Sequence, residues 1–198
     1  MIKFIKIHKE APYLLFREKY DQAFTINQKN IEAFSISSHL KDTNEVDSRY
    51  VNLKIIDGKD FIFFTNYNST KSRQFESNNN IAALFFWNKI NLQIRIKAKI
   101  YKLDESLSDI YFSQRQKEKN ALAISSKQSE PISSFDIVKQ NYLRALDSAN
   151  LKKRPEYWGG YRFIPYEFEF WVGHEFRLNK RYHYKLINKE WKKTLLQP

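Results

Sequence analysis

The side chains that could grip an anion fall into three groups. Arg49 and Lys54 lie in "SRYVNLKII", whose polar face also carries Asn52. Thr65, Ser69 and Lys71 follow in "FFTNYNSTKSRQ", where an apolar run gives way to a helix-like segment. Hydroxyls and a lysine at a helix N-terminus suit a phosphate. The unpaired N–H groups and the helix dipole favour negative charge there, and an ammonium adds a charge-assisted bond. The same pattern also describes a capped surface helix with an exposed lysine. Tyr111 and Arg115 stand one helical turn apart and share a face, so they could clamp a second anion. Such pairs are also common on half-buried faces.

Other chemistries have less support. The four histidines, His8, His39, His174 and His183, are scattered and form no ligand motif. His174 is readable as a base or ligand, but better as a solvent-exposed or hydrogen-bonded turn residue. The chain has no cysteine, which removes disulfides, thiolate metal sites and cysteine nucleophiles and suits a reducing cytoplasm. It has only 4 glycines and neither a P-loop nor a dinucleotide fingerprint, so side chains must carry any phosphate. No metal site is expected.

The net charge of +12 favours anionic partners, or simply a solvated basic surface. Basic residues interleave with aromatics in "KRYHYK", the one feature that speaks for nucleic acid. No stretch approaches the roughly 20 apolar residues of a membrane span, and the N-terminus has no cleavage-site pattern. The expectation is a soluble, cytoplasmic protein.

The elements that must position these groups read as an α+β fold of antiparallel strands with flanking helices, built on a β-barrel. Its 198 residues fit one domain, 1–198. A helical segment is expected at about 11–28, with Leu14, Leu15, Tyr20 and Phe24 at helical spacing. "SRYVNLKII" alternates as one strand, with Val51, Leu53 and Ile55 on one face. Asp57-Gly58 marks a turn, and "FIFFTNY" reads as a buried strand. Ser69 starts a short helix. In "LQIRIKAKIYKL", Ile94, Ile96, Ala98 and Ile100 form one face and Gln93, Arg95, Lys97 and Lys99 the other. Asp104 is expected to cap a helix through about Lys117 with Leu107, Ile110 and Tyr111 inward. Ser134 is expected to cap another through about Ser148. Strands at "YRFIPYEFEFWVG", "RYHYKLI" and "EWKKTLL" close the chain, within about 158–198.

Taken in order, "SRYVNLK", "FFTNYNSTKSRQ", "AALFFW", "LQIRIKAKI", "YFSQR", "SSKQS" and "WGGYRFIPYEFEFWVGHEFRLNKR" resemble the pyridoxamine 5'-phosphate oxidase family, from about Pro12 to Pro198. The resemblance implies an FMN-binding split β-barrel that works as a homodimer with two sites at the interface. It implies oxidation of pyridoxamine or pyridoxine 5'-phosphate to pyridoxal 5'-phosphate, with O2 as acceptor. By position it assigns FMN binding to Arg49, Val51, Leu53, Lys54, Phe64, Thr65, Thr70, Lys71, Gln93, Gln128, Ser129, Trp171 and Arg181. It assigns the substrate to Lys54, Tyr111, Arg115, Lys119, Arg177 and Asn179, with Arg177 and Asn179 at the catalytic positions.

This chain also departs from the family pattern. Thr70 replaces an arginine before Lys71. Lys119 stands where a serine contacts the substrate phosphate, and "KNALAI", with Leu122 and Ile124, replaces "SQIGAW". The family's "RLHDR" is here "RLNKR": Arg177 and Arg181 remain, but Asn179 replaces a histidine and Lys180 an aspartate. An asparagine donates and accepts hydrogen bonds but does not titrate near neutrality. These changes keep a second reading open, a flavoenzyme of the same fold with another substrate, as in phenazine-type biosynthesis. A third is a non-catalytic flavin or phosphate binder, or a nucleic-acid-binding barrel.

Overall fold

The computed structural model describes residues 1–198. Ten strands form a single mixed sheet: β1 (Lys3–Ile7), β2 (Ala33–Leu40), β3 (Glu45–Asn52), β4 (Ile55–Gly58), β5 (Asp60–Asn66), β6 (Asn80–Trp87), β7 (Leu92–Lys102), β8 (Trp158–Val172), β9 (Lys180–Ile187) and β10 (Glu190–Leu196). Five helices flank it: α1 (Ala11–Thr25), α2 (Thr70–Ser77), α3 (Glu105–Gln114), α4 (Lys117–Ser125) and α5 (Phe135–Ser148). The spatial order is β1-β4-β5-β8-β7-β6-β2-β3, with β9 added to β8 and β10 to β9. The sheet does not close on itself. All pairings are antiparallel except β1–β4, which is parallel and adds a strand that the sequence reading lacks.

Strand β8 organises the sheet. Along one edge it pairs with β7 from Tyr161 to Val172. Along the other it pairs first with β5, through Trp158–Phe163, and then with β9, through Glu167–Val172. Ile164–Tyr166 lie between those two partners, and the β7–β8 register slips at this point. Pro165 has no N–H to donate, which fits a position where the strand changes neighbours. The slip also reverses the alternation: Tyr161 and Phe163 are buried before it, Phe168 and Phe170 after it.

The core is aromatic. Phe16, Phe34, Phe61, Phe63, Phe85, Trp87, Phe163, Phe168 and Phe170 are essentially inaccessible; most meet at tilted or edge-to-face angles, while Phe34–Phe85 and Phe168–Phe170 stack. Such pairs add about 0.5–1.5 kcal/mol each beyond area burial. Trp87 Nε1 donates to Ile31 O at 3.1 Å, so its polar atom is satisfied. The β7 alternation is as expected, with Ile94, Ile96, Ala98 and Ile100 buried. Gly58 takes a positive φ of 59° at the β4–β5 hairpin.

Several expectations need correction. "SRYVNLKII" is two strands. The chain bends at Leu53-Lys54, where Leu53 N–H donates to Glu32 O and Lys54 N–H to Ile62 O, each at 2.8 Å. Helix α1 ends at Thr25, and its buried face is Tyr13, Phe16, Tyr20 and Ala23, while Leu14 and Phe24 are about half exposed. Helix α3 stops at Gln114 and buries Ser108 and Phe112, leaving Leu107 and Ile110 exposed. That face meets β8 through Phe112, packed edge-on against Trp158 at 5.0 Å, and through Ser108 Oγ, which accepts from Gly160 N–H at 3.1 Å. Helix α4 carries the "KNALAI" segment, for which the sequence pattern offers no element. The Asp104 and Ser134 caps form as expected, accepting from Ser106 N–H and Ile137 N–H.

Candidate active site

A cavity of about 750 Å³ opens between the end of β3, strand β5, the start of β8 and helices α3 and α4. It brings together Val51, Lys54, Phe64, Thr65, Lys71, Tyr111, Arg115, Lys119 and Gln128, all expected from the sequence.

One part is built from the start of α2. Lys71 Nζ donates to Thr65 Oγ1 at 3.1 Å and Ser69 Oγ at 2.9 Å. Ser69 and Ser72 each donate to Asn66 O at 2.8 Å, which fixes the turn. Burial, with the Arg49 charge nearby, lowers the Lys71 pKa to about 8. Arg49 stands behind it: Nη1 donates to Ser38 Oγ at 2.6 Å, Nη2 to Gln74 Oε1 at 2.8 Å, and Asp47 pairs at 3.3 Å. Thr70 is half-buried at the first turn of α2 and does not line the cavity.

The other part gathers cations. Burial holds the Lys54 ammonium below its usual range; Glu32, at 3.8 Å, supports its charge, and Lys119 and Arg115 oppose it. Arg115 is likewise lowered by burial. Tyr111 stacks on Phe64 at 3.7 Å between centroids and 6° between planes. Trp158 continues the stack, 5.5 Å from Phe64. Burial pushes the Tyr111 phenol up, so it stays a neutral donor. A cavity with clustered cations and a flat aromatic wall can hold a phosphorylated aromatic molecule.

Other expected residues lie elsewhere. The Leu53 side chain is fully buried in the core, so it acts there by packing. Ser129, with φ of 74°, is not on the cavity wall. Gln93, Trp171 and Arg181 form a row across β7, β8 and β9 through the pairs Gln93–Trp171 and Trp171–Arg181. Arg181 Nε donates to Glu169 Oε1 at 2.8 Å, and Arg95 reaches the other oxygen of that carboxylate at 3.1 Å. Arg177 and Asn179 lie in the β8–β9 loop. Neither this row nor the loop lines the cavity of the same chain.

Sequence reasoning missed Trp158 as a wall residue, along with Asn66, Gln114 and Gln116. The signal for Trp158 was its place before Gly159-Gly160. A Cβ at Gly160 would stand 2.6 Å from Leu103 Cδ2 and 3.1 Å from Phe64 Cε1, so β8 must be bare here for its neighbours to close in. No group of three or more His, Asp or Glu side chains is placed to hold a metal ion. No helix is long and apolar enough to cross a membrane.

The fold and this cavity define an α+β protein with a site suited to a phosphorylated aromatic ligand. Residues 25–147 match the family described as pyridoxamine 5'-phosphate oxidase, and residues 158–198 match the pyridoxine 5'-phosphate oxidase C-terminal dimerisation region. The chain belongs to the pyridoxamine 5'-phosphate oxidase family. It is 36% identical over 192 residues to pyridoxine/pyridoxamine 5'-phosphate oxidase 1 of Hydrogenovibrio crunogenus, covering 94% of this chain and 88% of that protein. It is 33% identical to the Pseudomonas syringae pv. tomato pyridoxine/pyridoxamine 5'-phosphate oxidase, covering 96% and 89%. Among solved structures it resembles PhzG from Burkholderia lata in complex with tetrahydrophenazine-1-carboxylic acid, with a TM-score of 0.90 and 26% identity over 98% of this chain and 94% of that one. An FMN-binding protein of Nostoc punctiforme, related to the family, shares the fold with a TM-score of 0.77 at 11% identity, covering 95% and 98%. The cofactor of the family is FMN, and the donor set here fits it: hydroxyls and a buried lysine suit a flavin phosphate, and apolar walls suit its ring.

Proposed function

We propose that this chain is an FMN-dependent oxidase that converts pyridoxamine or pyridoxine 5'-phosphate to pyridoxal 5'-phosphate in the cytoplasm. The observation that carries the reading is the division of one cavity into two cationic regions, Lys71 with its hydroxyls and Lys54 with Arg115 and Lys119. Two phosphates, one of the cofactor and one of the substrate, need two such regions. The first would hold the FMN phosphate, assisted by Arg49 from behind, with Val51, Phe64, Thr65 and Gln128 around the cofactor. The second would hold the substrate phosphate, with Tyr111 donating a hydrogen bond.

When bound, FMN would supply the two-electron oxidation, with O2 as the final acceptor and hydrogen peroxide as the reduced product. The protein residues orient the ring and exclude water. Oxidation of the alcohol releases one proton, and oxidation of the amine to the aldehyde consumes a water and releases ammonia.

The reading is a homodimer. Gln93, Trp171, Arg181, Arg177 and Asn179 are not on the cavity of their own chain, and the C-terminal region matches a dimerisation region. In a two-fold dimer, Trp171, Arg181 and Arg177 of one protomer would complete the site of the other. The exposed apolar residues Val46, Tyr50, Leu84 and Phe86 on β3 and β6 give such a partner a surface to cover.

The likeness to PhzG and the presence of Asn179 favour a second reading, a same-fold oxidoreductase acting on a different ring system. The three-cation region argues for a phosphate dianion over a single carboxylate. Peroxide release on adding pyridoxine 5'-phosphate and pyridoxamine 5'-phosphate to the flavin-loaded protein under air tests the choice. Turnover on the order of 1 per second supports the first reading, and none supports the second.

A further inference from the structure

The cationic region is flanked by a wall residue, Trp158, and backed by a buried one, Asn120. Trp158, 5% exposed, opens β8. The Arg115 guanidinium carbon lies 4.9 Å from its ring centroid, and Phe112 packs edge-on at 5.0 Å. Asn120, 1% exposed, lies in the first turn of α4. Its Nδ2 donates to Phe112 O and to Leu151 O, both at 2.8 Å, and its Oδ1 accepts from Arg115 Nη1 at 3.3 Å. The same Nη1 reaches Lys119 O at 3.2 Å.

Arg115 is therefore fixed by an aromatic face on one side and by neutral oxygens at one corner. It makes no ion pair with a carboxylate, so its charge stays uncompensated toward the cavity. A guanidinium carries five N–H donors in a rigid fork, and here only Nη1 has protein partners, leaving Nε and Nη2 free.

We propose that Trp158 and Asn120 are positioning residues that hold the Arg115 fork toward a phosphate in this cavity. The inference rests on reading the cavity as a substrate-phosphate site. An aromatic face is the element required at position 158, because a cation is attracted by the ring quadrupole. Phenylalanine preserves that face and leucine does not. At position 120 the oxygen must be neutral. An aspartate would pair with the guanidinium and compete with the phosphate.

The test uses the flavin-loaded protein and inorganic phosphate, titrated by calorimetry. Trp158→Leu is expected to weaken phosphate about tenfold and Trp158→Phe by less than about threefold. With pyridoxine 5'-phosphate as substrate, KM should rise in parallel for Trp158→Leu while kcat stays within about threefold. Arg115→Ala is the control. If it leaves phosphate binding unchanged, the reading of the cavity fails. If it abolishes binding while Trp158→Leu matches the native protein, or Trp158→Phe is as impaired as Trp158→Leu, only the positioning role fails. Should Trp158→Leu not fold, Trp158→Met, which keeps apolar volume but has no ring face, carries the test: weakened phosphate with flavin retained supports the proposal, and native affinity overturns it.

Discussion

Asn179 Oδ1 accepts a hydrogen bond from the His174 backbone N–H at 3.0 Å and closes the loop between β8 and β9. Inside that loop Arg177 N–H donates to His174 O at 3.0 Å, and Arg177 holds a positive φ of 61°. His174 Nδ1 accepts from Phe176 N–H at 3.2 Å. A non-glycine residue at positive φ persists only where its surroundings hold it. Asn179 thus acts on Arg177 through the backbone, a role that needs an acceptor and not a titrating group. Asn179→Asp keeps the acceptor and is expected to leave kcat/KM within about threefold. Asn179→Leu loses a bond of about 1 kcal/mol and should lower it about fivefold. Steady-state kinetics of both variants checks this. Equal activity in the leucine variant would contradict it.

Flavin binding and stability should both depend on pH through Lys71. Burial lowers the Lys71 pKa to about 8, so the charged form is disfavoured in the folded protein relative to the unfolded chain. Between about 8 and the usual lysine value the unfolded chain binds more protons, and the stability of the flavin-free protein should rise with pH across that window. An anion binds the protonated amine. FMN affinity should therefore be flat below about pH 8 and fall above it, by at most about tenfold per pH unit. Lys71→Met should weaken FMN throughout and flatten this dependence. Fluorescence titration of FMN from pH 6.5 to about 9.5 reads both effects.

If the sites are shared between protomers, two damaged chains should complement each other. Arg115→Ala damages the cavity, and Arg177→Ala damages the loop that would reach the partner. Each homodimer should be strongly impaired. Random mixed dimers carry one intact site in half of the population, so co-refolded protein should regain about a quarter of native activity. No recovery in the mixture would place both residues in the same chain's site.

Tight backbone approach at Gly159 gives a stability test. A Cβ there would stand 2.6 Å from Tyr67 Cζ, and Tyr67 Oη donates to Gly160 O at 3.1 Å. Gly159→Ala should cost about 1–3 kcal/mol through overpacking. The penalty should shrink in a Tyr67→Ala background, where the ring is absent. A double-mutant cycle by urea denaturation measures the coupling, and strict additivity would deny it.

Much of this arrangement was legible in the sequence, for physical reasons. The period-2 alternation in β7 and the Ser69 and Ser134 starts of helices are local signals, and the structure follows them. The cavity residues Lys54, Lys71, Tyr111 and Arg115 were reached by type, spacing and family resemblance, and they do come together. What escaped depends on distant partners. The break at Leu53-Lys54 follows from backbone bonds to Glu32 and Ile62 that no local pattern encodes. The buried face of α3 was misjudged because Phe112, packed on Trp158, and Ser108, bonded to Gly160, turn toward β8, and both partners are distant in sequence. The parallel β1–β4 pairing joins segments about fifty residues apart and leaves no periodic trace.

The central claim is that one cavity serves a flavin and a phosphorylated B6 vitamer together. Its most direct test is anaerobic reduction of the FMN-loaded protein. Addition of pyridoxine 5'-phosphate should bleach the flavin absorption, with the colour returning on admission of air as peroxide appears. A protein that stays yellow with both pyridoxine and pyridoxamine 5'-phosphate, or that cannot be loaded with FMN, would contradict the account.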